Sequence, residues 1–256
     1  MSATDRTQLD RRTPRGRAVL AQAGMELRLL VRSGESLLVT LGIPLGVLVF
    51  FSLVEVLPTG GVDPVSFLVP GVLAISVVAT GLVAVGIQTA FERKYAVLKR
   101  LGATPLTRAD FLVAKGLAVA ALLLVQASVV LLVAAVGLGW RPGGGWVLLP
   151  MLVLLGALTS TALGLLLAGT LRAEASIAAT NGVFLALLVV SGVTFDAAAL
   201  PAPLAVLGAY LPMGALGRAL STALEGDGLA LVPTVTLLVW AVAAIAVGAR
   251  TFRWEP

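Results

Sequence analysis

A chain of 256 residues that is 59% apolar and 12% charged, with a mean hydropathy of +1.04, is composed for a bilayer and not for water. It has no cysteine and no histidine, which excludes disulfides, Cys or His metal sites, haem ligation by His and any His-dependent catalytic triad. A net charge of +5 would suggest nucleic acid binding in a soluble protein; in so hydrophobic a chain it reflects basic residues kept on the cytoplasmic side, and no nucleic acid partner is expected.

Residues 1–35 read as a cytoplasmic segment. Met1 to Gly16 is a charged tail, and Arg17 to Arg32 has helical periodicity, with Leu20, Ala23, Leu27, Leu30 and Val31 on one face and Gln22, Glu26, Arg28 and Arg32 on the other. That pattern predicts an amphipathic helix lying in the membrane interface. Residues 36–249 then form the membrane domain. The first span is expected at Ser36 to Val54, uncharged between Glu35 and Glu55, and the second at Val65 to Ala90. Span three is expected at Gly116 to Leu138, span four at Val147 to Leu171 and span five at Ala175 to Phe195. Trp140 and Trp146 flank the turn before span four, where interfacial aromatics belong. Ala197 to Gly217 is also uncharged, but Pro201, Pro203 and Pro212 interrupt it, and counting it as a span would put Arg250 and Arg253 outside. It reads as two short helices that dip into the outer leaflet and return. Span six is expected at Leu229 to Ala249, followed by a cytoplasmic tail, residues 250–256. The result is an all-α protein of six spans.

Between spans two and three lies a compact basic connector. Phe91 to Lys115 holds Arg93, Lys94, Lys99, Arg100, Arg108 and Lys115 against only Glu92 and Asp110. Glu92 to Leu101 lacks Gly and Pro and suits a short helix, with Gly102 placed to end it. Thr104-Pro105 reads as a turn, and Thr107-x-x-Asp110 as a capping box for a helix starting near Arg108.

The connector resembles a segment of the ABC-2 type permeases, the membrane subunits of one class of ATP-binding cassette exporters. Their pattern E-R-E-x-G-T-L-x-x-L-x-x-(S/T)-P-(L/V)-(S/T)-R is matched at Glu92, Arg93, Leu98, Leu101, Thr104, Pro105, Leu106, Thr107 and Arg108, with departures at Lys94, Tyr95 and Ala96. The resemblance implies a coupling helix that seats against a cytoplasmic ATPase subunit through these residues together with Lys99, Arg100 and Gly102. It also implies a second copy of the permease, or a homologous one, as partner. The Pro-marked re-entrant hairpin between the last two spans belongs to the same family layout.

Other chemistry is sparse. No Gly-x-x-x-x-Gly-Lys-Ser/Thr loop and no Gly-Lys pair occur, so the chain has no P-loop cradle for nucleotide phosphates. No cofactor is expected in this chain; ATP and Mg would be bound by the partner ATPase. No acid or base is expected at mid-span, which argues against a proton-coupled carrier. Candidates for a substrate path are Gln88, Thr89, Asn181 and Ser191, of which Asn181 suits an interhelical hydrogen bond better than a ligand contact. Thr159, Ser160 and Thr161 can bond back to their own helix. So few polar groups suit a lipophilic or amphiphilic substrate: a drug, antibiotic or lipid-like compound. The alternatives are a polysaccharide or teichoic-acid-type export permease and a membrane-embedded lipid-modifying enzyme, whose only candidate carboxylate pair is Glu225 and Asp227.

Sixteen of the eighteen Lys and Arg fall on one side of this topology, with Arg141 and Arg218 on the other. That asymmetry sets both termini in the cytoplasm, and the excess of Arg over Lys points to the plasma membrane of a bacterium with a GC-rich genome. Reporter fusions at Gly61, Gly144 and Gly226 should therefore report an extracellular position, and fusions at Gly102 and after Pro256 a cytoplasmic one. A cytoplasmic signal at Gly226 would overturn the re-entrant assignment.

Overall fold

The structure, a computed structural model, describes residues 15–32, 41–54, 63–95, 108–193 and 200–251. Every regular element among them is helical. Helix α1 is Arg15–Arg32, α2 is Ile43–Val54 and α3 is Pro64–Lys94, which contains a π turn at Ala79–Ala84. Helix α4, Arg108–Leu132, continues into a π turn at Val133–Gly137. Helix α5 is Leu149–Thr170, α6 is Ala173–Val190, α7 is Ala202–Tyr210, α8 is Pro212–Glu225 and α9 is Leu231–Thr251.

Five of these are long and apolar enough to cross a membrane: α3, α4 with its π turn, α5 with the short turn before it, α6 and α9. Helix α2, with a π-type turn at residues 41–42 leading into it, is the described part of the expected first span, whose residues 36–40 lie outside the described residues. The all-α membrane fold expected from the sequence is the fold observed.

Side-chain chemistry explains where the helices start and stop. At α3, the Asp63 carboxylate accepts from the Ser66 backbone N–H (2.9 Å) and from its hydroxyl (3.0 Å), with Pro64 in the first turn where no N–H is missed. Helices α7 and α8 also begin on prolines, and α8 ends at Gly226, whose φ of +97° a side chain with a Cβ would resist. The corner between α7 and α8 bends by 80° at Leu211.

Contacts fix the helix directions. Arg93 of α3 reaches Gly169 and Leu171 at the end of α5, while Val77 of α3 faces Gly156 further back, so these two helices run parallel. Helix α6 runs against α3, since Lys94 meets Glu174 and Gly71 meets Val193. Helix α4 also runs against α3, with Lys115 on Glu92 at one end and Trp140 on Ser66 at the other. One end of the bundle therefore gathers Arg93, Lys115, Leu171 and Glu174. The opposite end gathers Asp63, Trp140, Val193 and the end of α8, where the Gly143 N–H donates to Leu224 O at 2.6 Å.

The hairpin follows from this frame. Helix α8 ends at the far surface but begins deep, because Leu216 packs on Gly156, which lies seven residues below the start of α5. That is roughly 10 Å at 1.5 Å per residue. The Trp240 indole N–H donates to Tyr210 O at the corner, 2.9 Å away, nine residues inside α9. So α7 and α8 meet deep in the bundle, and α8 climbs back to the far end, as the prolines predicted.

Three expectations need correcting. The short helix read at Glu92 to Leu101 is not separate at its start: α3 runs unbroken through Lys94 and is capped at Tyr95. Helix α4 begins at Arg108, as the capping box predicts, and runs without a break into the span expected from Gly116, with Asp110 and Lys115 buried within the protein instead of marking a water boundary. Trp140 is buried at 7% exposure and donates to the Ser66 hydroxyl (3.1 Å), whereas Trp146 is exposed as an interfacial ring should be.

Candidate functional site

The polar side chains of the bundle converge where α3 ends and α4 begins. Glu92 lies in the last turn of α3, one turn after Gln88, so the two share a face and the Gln88 amide donates to Glu92 Oε1 at 2.7 Å. On α4, Lys115 stands two turns into the helix and donates to Glu92 Oε2 at 2.6 Å. Helix α1 supplies the third member: Glu26 Oε2 is 3.7 Å from Lys115 Nζ, and Gln22 donates to Glu26 Oε1 at 3.0 Å, again four residues apart on one face. The Phe111 ring lies against the same ammonium, centroid 5.1 Å away.

Burial decides what this cluster is worth. The Lys115 side chain is 2% exposed, Glu26 5% and Glu92 16%. A solvated surface pair contributes about 0–1 kcal/mol. Here three charges share one desolvated space, and each is tolerable only through the others. Two carboxylates on one ammonium tie three separate segments, α1, α3 and α4, at a single point.

The next two residues extend the clamp to the other side. Arg93, buried at 7%, donates to Gly169 O (2.8 Å) and to Leu171 O, which are among the last carbonyls of α5 and the turn after it. A helix end leaves such carbonyls without intrahelical donors, and a guanidinium there also opposes the negative end of the helix dipole. Lys94 pairs with Glu174 in the first turn of α6. Three consecutive residues, Glu92, Arg93 and Lys94, thus bind three other helices, α4, α5 and α6, and Lys115 carries the link on to α1.

The sequence-predicted residues sort as follows. Glu92 and Arg93 are held inside the protein as just described. Leu98, Lys99, Arg100, Leu101, Gly102, Thr104, Pro105, Leu106 and Thr107 lie outside the described residues, and Arg108 is the first residue of α4. Gln88 belongs to the clamp. Thr89 is fully buried, and its hydroxyl has no hydrogen-bond partner. Asn181 is exposed on α6 and donates to Ile177 O of its own helix at 2.8 Å, not to a neighbouring helix. Ser191 sits at the opposite end, where its hydroxyl donates to Leu188 O and accepts from the Val193 N–H, both at 3.4 Å. The four substrate-path candidates are therefore not brought together. Thr159 bonds back to Leu155 O (2.8 Å), as expected, and also to Leu237 O of α9 (3.1 Å).

Sequence reasoning missed Glu26 and Lys115 as a pair. Glu26 was placed on the polar face of α1, but that face is turned onto α4. The available signal was Lys115 itself, a lone lysine with an apolar run after it, and Glu26 four residues after Gln22. Among the described residues no group of three or more His, Cys, Asp or Glu is placed to hold a metal ion.

The class defined by this fold and site is a multi-pass helical membrane protein whose charged machinery is gathered at one end. The chain belongs to the ABC-2 type transporter family, whose model matches residues 19–224, from α1 into the last turn of α8. Its place in an ABC transporter is that of the permease component. A search of curated proteins finds no match.

Removing one member of the clamp should be measurable. Lys115→Met should cost about 3–5 kcal/mol of stability, the loss expected when buried charges lose their counter-charge. Glu26→Gln should cost less, because Lys115 keeps its closer partner Glu92. Adding Glu92→Gln to Lys115→Met should recover part of the loss. Thermal unfolding of the detergent-solubilised protein tests the ranking, and a Lys115→Met variant as stable as wild type would show that the cluster holds nothing together.

Proposed function

We propose that this chain is the permease of an ATP-driven exporter in a bacterial plasma membrane, with both termini cytoplasmic, moving a lipophilic or amphiphilic compound out of the cell. It works with cytoplasmic ATPase subunits, which bind the ATP and Mg, and with a second copy or a homologous permease.

The observation that carries this reading is the position of the clamp. In the chain the connector follows Tyr95 and precedes Arg108, and the charged contacts of Glu26, Glu92, Arg93, Lys94 and Lys115 stand near those two residues. A push on the connector is delivered at once to α1, α3, α4, α5 and α6. The absence of a phosphate-cradling loop from the sequence fits an energy source on another subunit. The polar groups of the described spans bond mostly to their own helices, as Asn181, Thr170 and Thr180 do, leaving largely apolar faces for a substrate to meet. That supports the lipophilic class over a sugar polymer.

Purified alone, the chain should hydrolyse no ATP above background, and turnover persisting in a preparation free of any ATPase subunit would remove the permease reading. Coexpressed with its ATPase, Leu101→Asp should abolish copurification and transport while membrane insertion persists. Desolvating a Leu contributes roughly 1.5–3 kcal/mol, against about 0–1 kcal/mol for a surface ion pair. Neutralising Lys99 and Arg100 should accordingly cost less, mainly weakening association at low salt, and Pro105→Gly should loosen coupling more than assembly. The reverse ranking would reduce the connector to a topology-setting loop.

A further inference from the structure

The π turn in the middle of α3 has no counterpart in the clamp, yet it lies directly above it. Across Ala79–Ala84 the helix is wound one residue wider than α, and the Val85 N–H bonds to Thr80 O, five residues back. Such a turn holds one surplus residue in the helix and recurs at functional sites. The π turn at Val133–Gly137 closes the end of α4 and has no helix below it to turn. Ala79–Ala84 has ten residues below it, Val85–Lys94, and they end in Glu92, Arg93 and Lys94.

The turn is seated against backbone. A Cβ at Gly81 would stand 2.6 Å from Ser160 Cβ and 2.9 Å from the Thr161 nitrogen, and one at Gly164 would stand 2.5 Å from Gly81 O. At this seat and below it, hydrogen bonds are left unmade. The hydroxyls of Thr89, Thr161 and Ser176 are buried without a partner, while Thr159, Thr170 and Thr180 satisfy theirs on their own helices. Buried hydroxyls without partners are costly, so the observed register is held by something else. The contacts that hold it are those of Glu92, Arg93 and Lys94 with α4, α5 and α6.

We propose that Ala79–Ala84 is a register hinge. When the connector is displaced and the clamp opens, the π turn closes to α, and the surplus residue joins the regular helix. Val85–Lys94 then turns by about 100° and advances by roughly 1.5 Å relative to the upper half of α3. This rests on the coupling reading above and gives it a second state: the lower third of α3 rotates while Pro64–Val78 stays packed.

The chain has no cysteine, so spin-label pairs can be placed on a clean background. One pair, Tyr95→Cys with Val113→Cys, uses exposed positions below the hinge; the other, Ile75→Cys with Leu132→Cys, lies above it. Deleting Val83 removes the surplus residue. Gly81→Ala presses the turn out of its seat without changing chain length. Electron-electron distance measurements on the full chain in nanodiscs should show the lower pair shifted in Gly81→Ala, by about 8 Å for a side chain ~5 Å off an axis turned through ~100°, and unmoved in the Val83 deletion, whose helix closes to α with both flanks in their present register. The upper pair should stay fixed in both. In the copurified ATPase complex, a non-hydrolysable ATP analogue with Mg should produce the same shift in the wild-type chain. A folded Gly81→Ala variant with an unmoved lower pair, or a shifted lower pair in the Val83 deletion, would overturn the hinge. A shift in Gly81→Ala without a response of the wild-type complex to nucleotide would uphold the hinge and overturn ATP coupling instead. If neither variant folds, the wild-type complex decides: a shift confined to the lower pair supports the hinge, and equal shifts in both pairs, or none, overturn it.

Discussion

An ammonium group out of water at the foot of a helical bundle must be compensated by whatever surrounds it, and at Lys115 the surroundings come from three distant parts of the chain. Glu26 arrives on α1, Glu92 on α3, and the lysine itself on α4. None of the three helices can leave without uncovering a charge in a space from which water is excluded, a penalty several times that of a lost surface pair. The cluster therefore acts as a fastening with a sharp threshold. It resists small displacements and gives way as a unit, because removing one charge leaves the others uncompensated.

The two ends of the bundle are held by different physics. At the end away from the clamp, contacts are neutral and close: the Gly143 N–H on Leu224 O, the Trp140 indole on the Ser66 hydroxyl, and Gly208 packed against Val190 and Ser191. Such contacts depend on shape and lose their worth with a few tenths of an ångström of displacement. At the clamp end, long side chains span the gaps between helices, and Lys94 with Glu174, both well exposed, can exchange partners with water. A bundle built this way is stiff at one end and switchable at the other. Within the membrane itself, backbone contacts between α3 and α5 at Gly81 and Gly164 supply the packing that apolar lipid would otherwise match.

Much of this fold was legible because the bilayer imposes so strong a constraint on sequence. Long uncharged runs gave the spans, Pro201, Pro203 and Pro212 marked the bent pair, and Thr107-x-x-Asp110 marked the start of α4. The family match over residues 19–224 bears out the resemblance read from the connector. What failed to show was pairing. Hydropathy alone ends a span at a charge such as Lys115, but this charge is neutralised inside the protein by residues 89 and 23 positions away. Glu26 was assigned to water for the same reason: periodicity reports how polar a face is, not whether another helix covers it. The π turn left no sequence signal at all, since Ala79–Ala84 reads as an ordinary apolar run.

That blind spot has a physical cause. Hydropathy treats each residue as if it met the solvent alone, whereas the charge of Lys115 is stable only as part of a group of three. The same reasoning explains why the clamp sits where it does. Deeper in the bilayer, the desolvation of two carboxylates and an ammonium would outweigh any attraction among them. Fully in water, screening would reduce the pairing to a fraction of a kcal/mol. The foot of the bundle, one to two turns inside the helix ends, is the zone where charges are shielded enough to bind strongly and near enough to water to part.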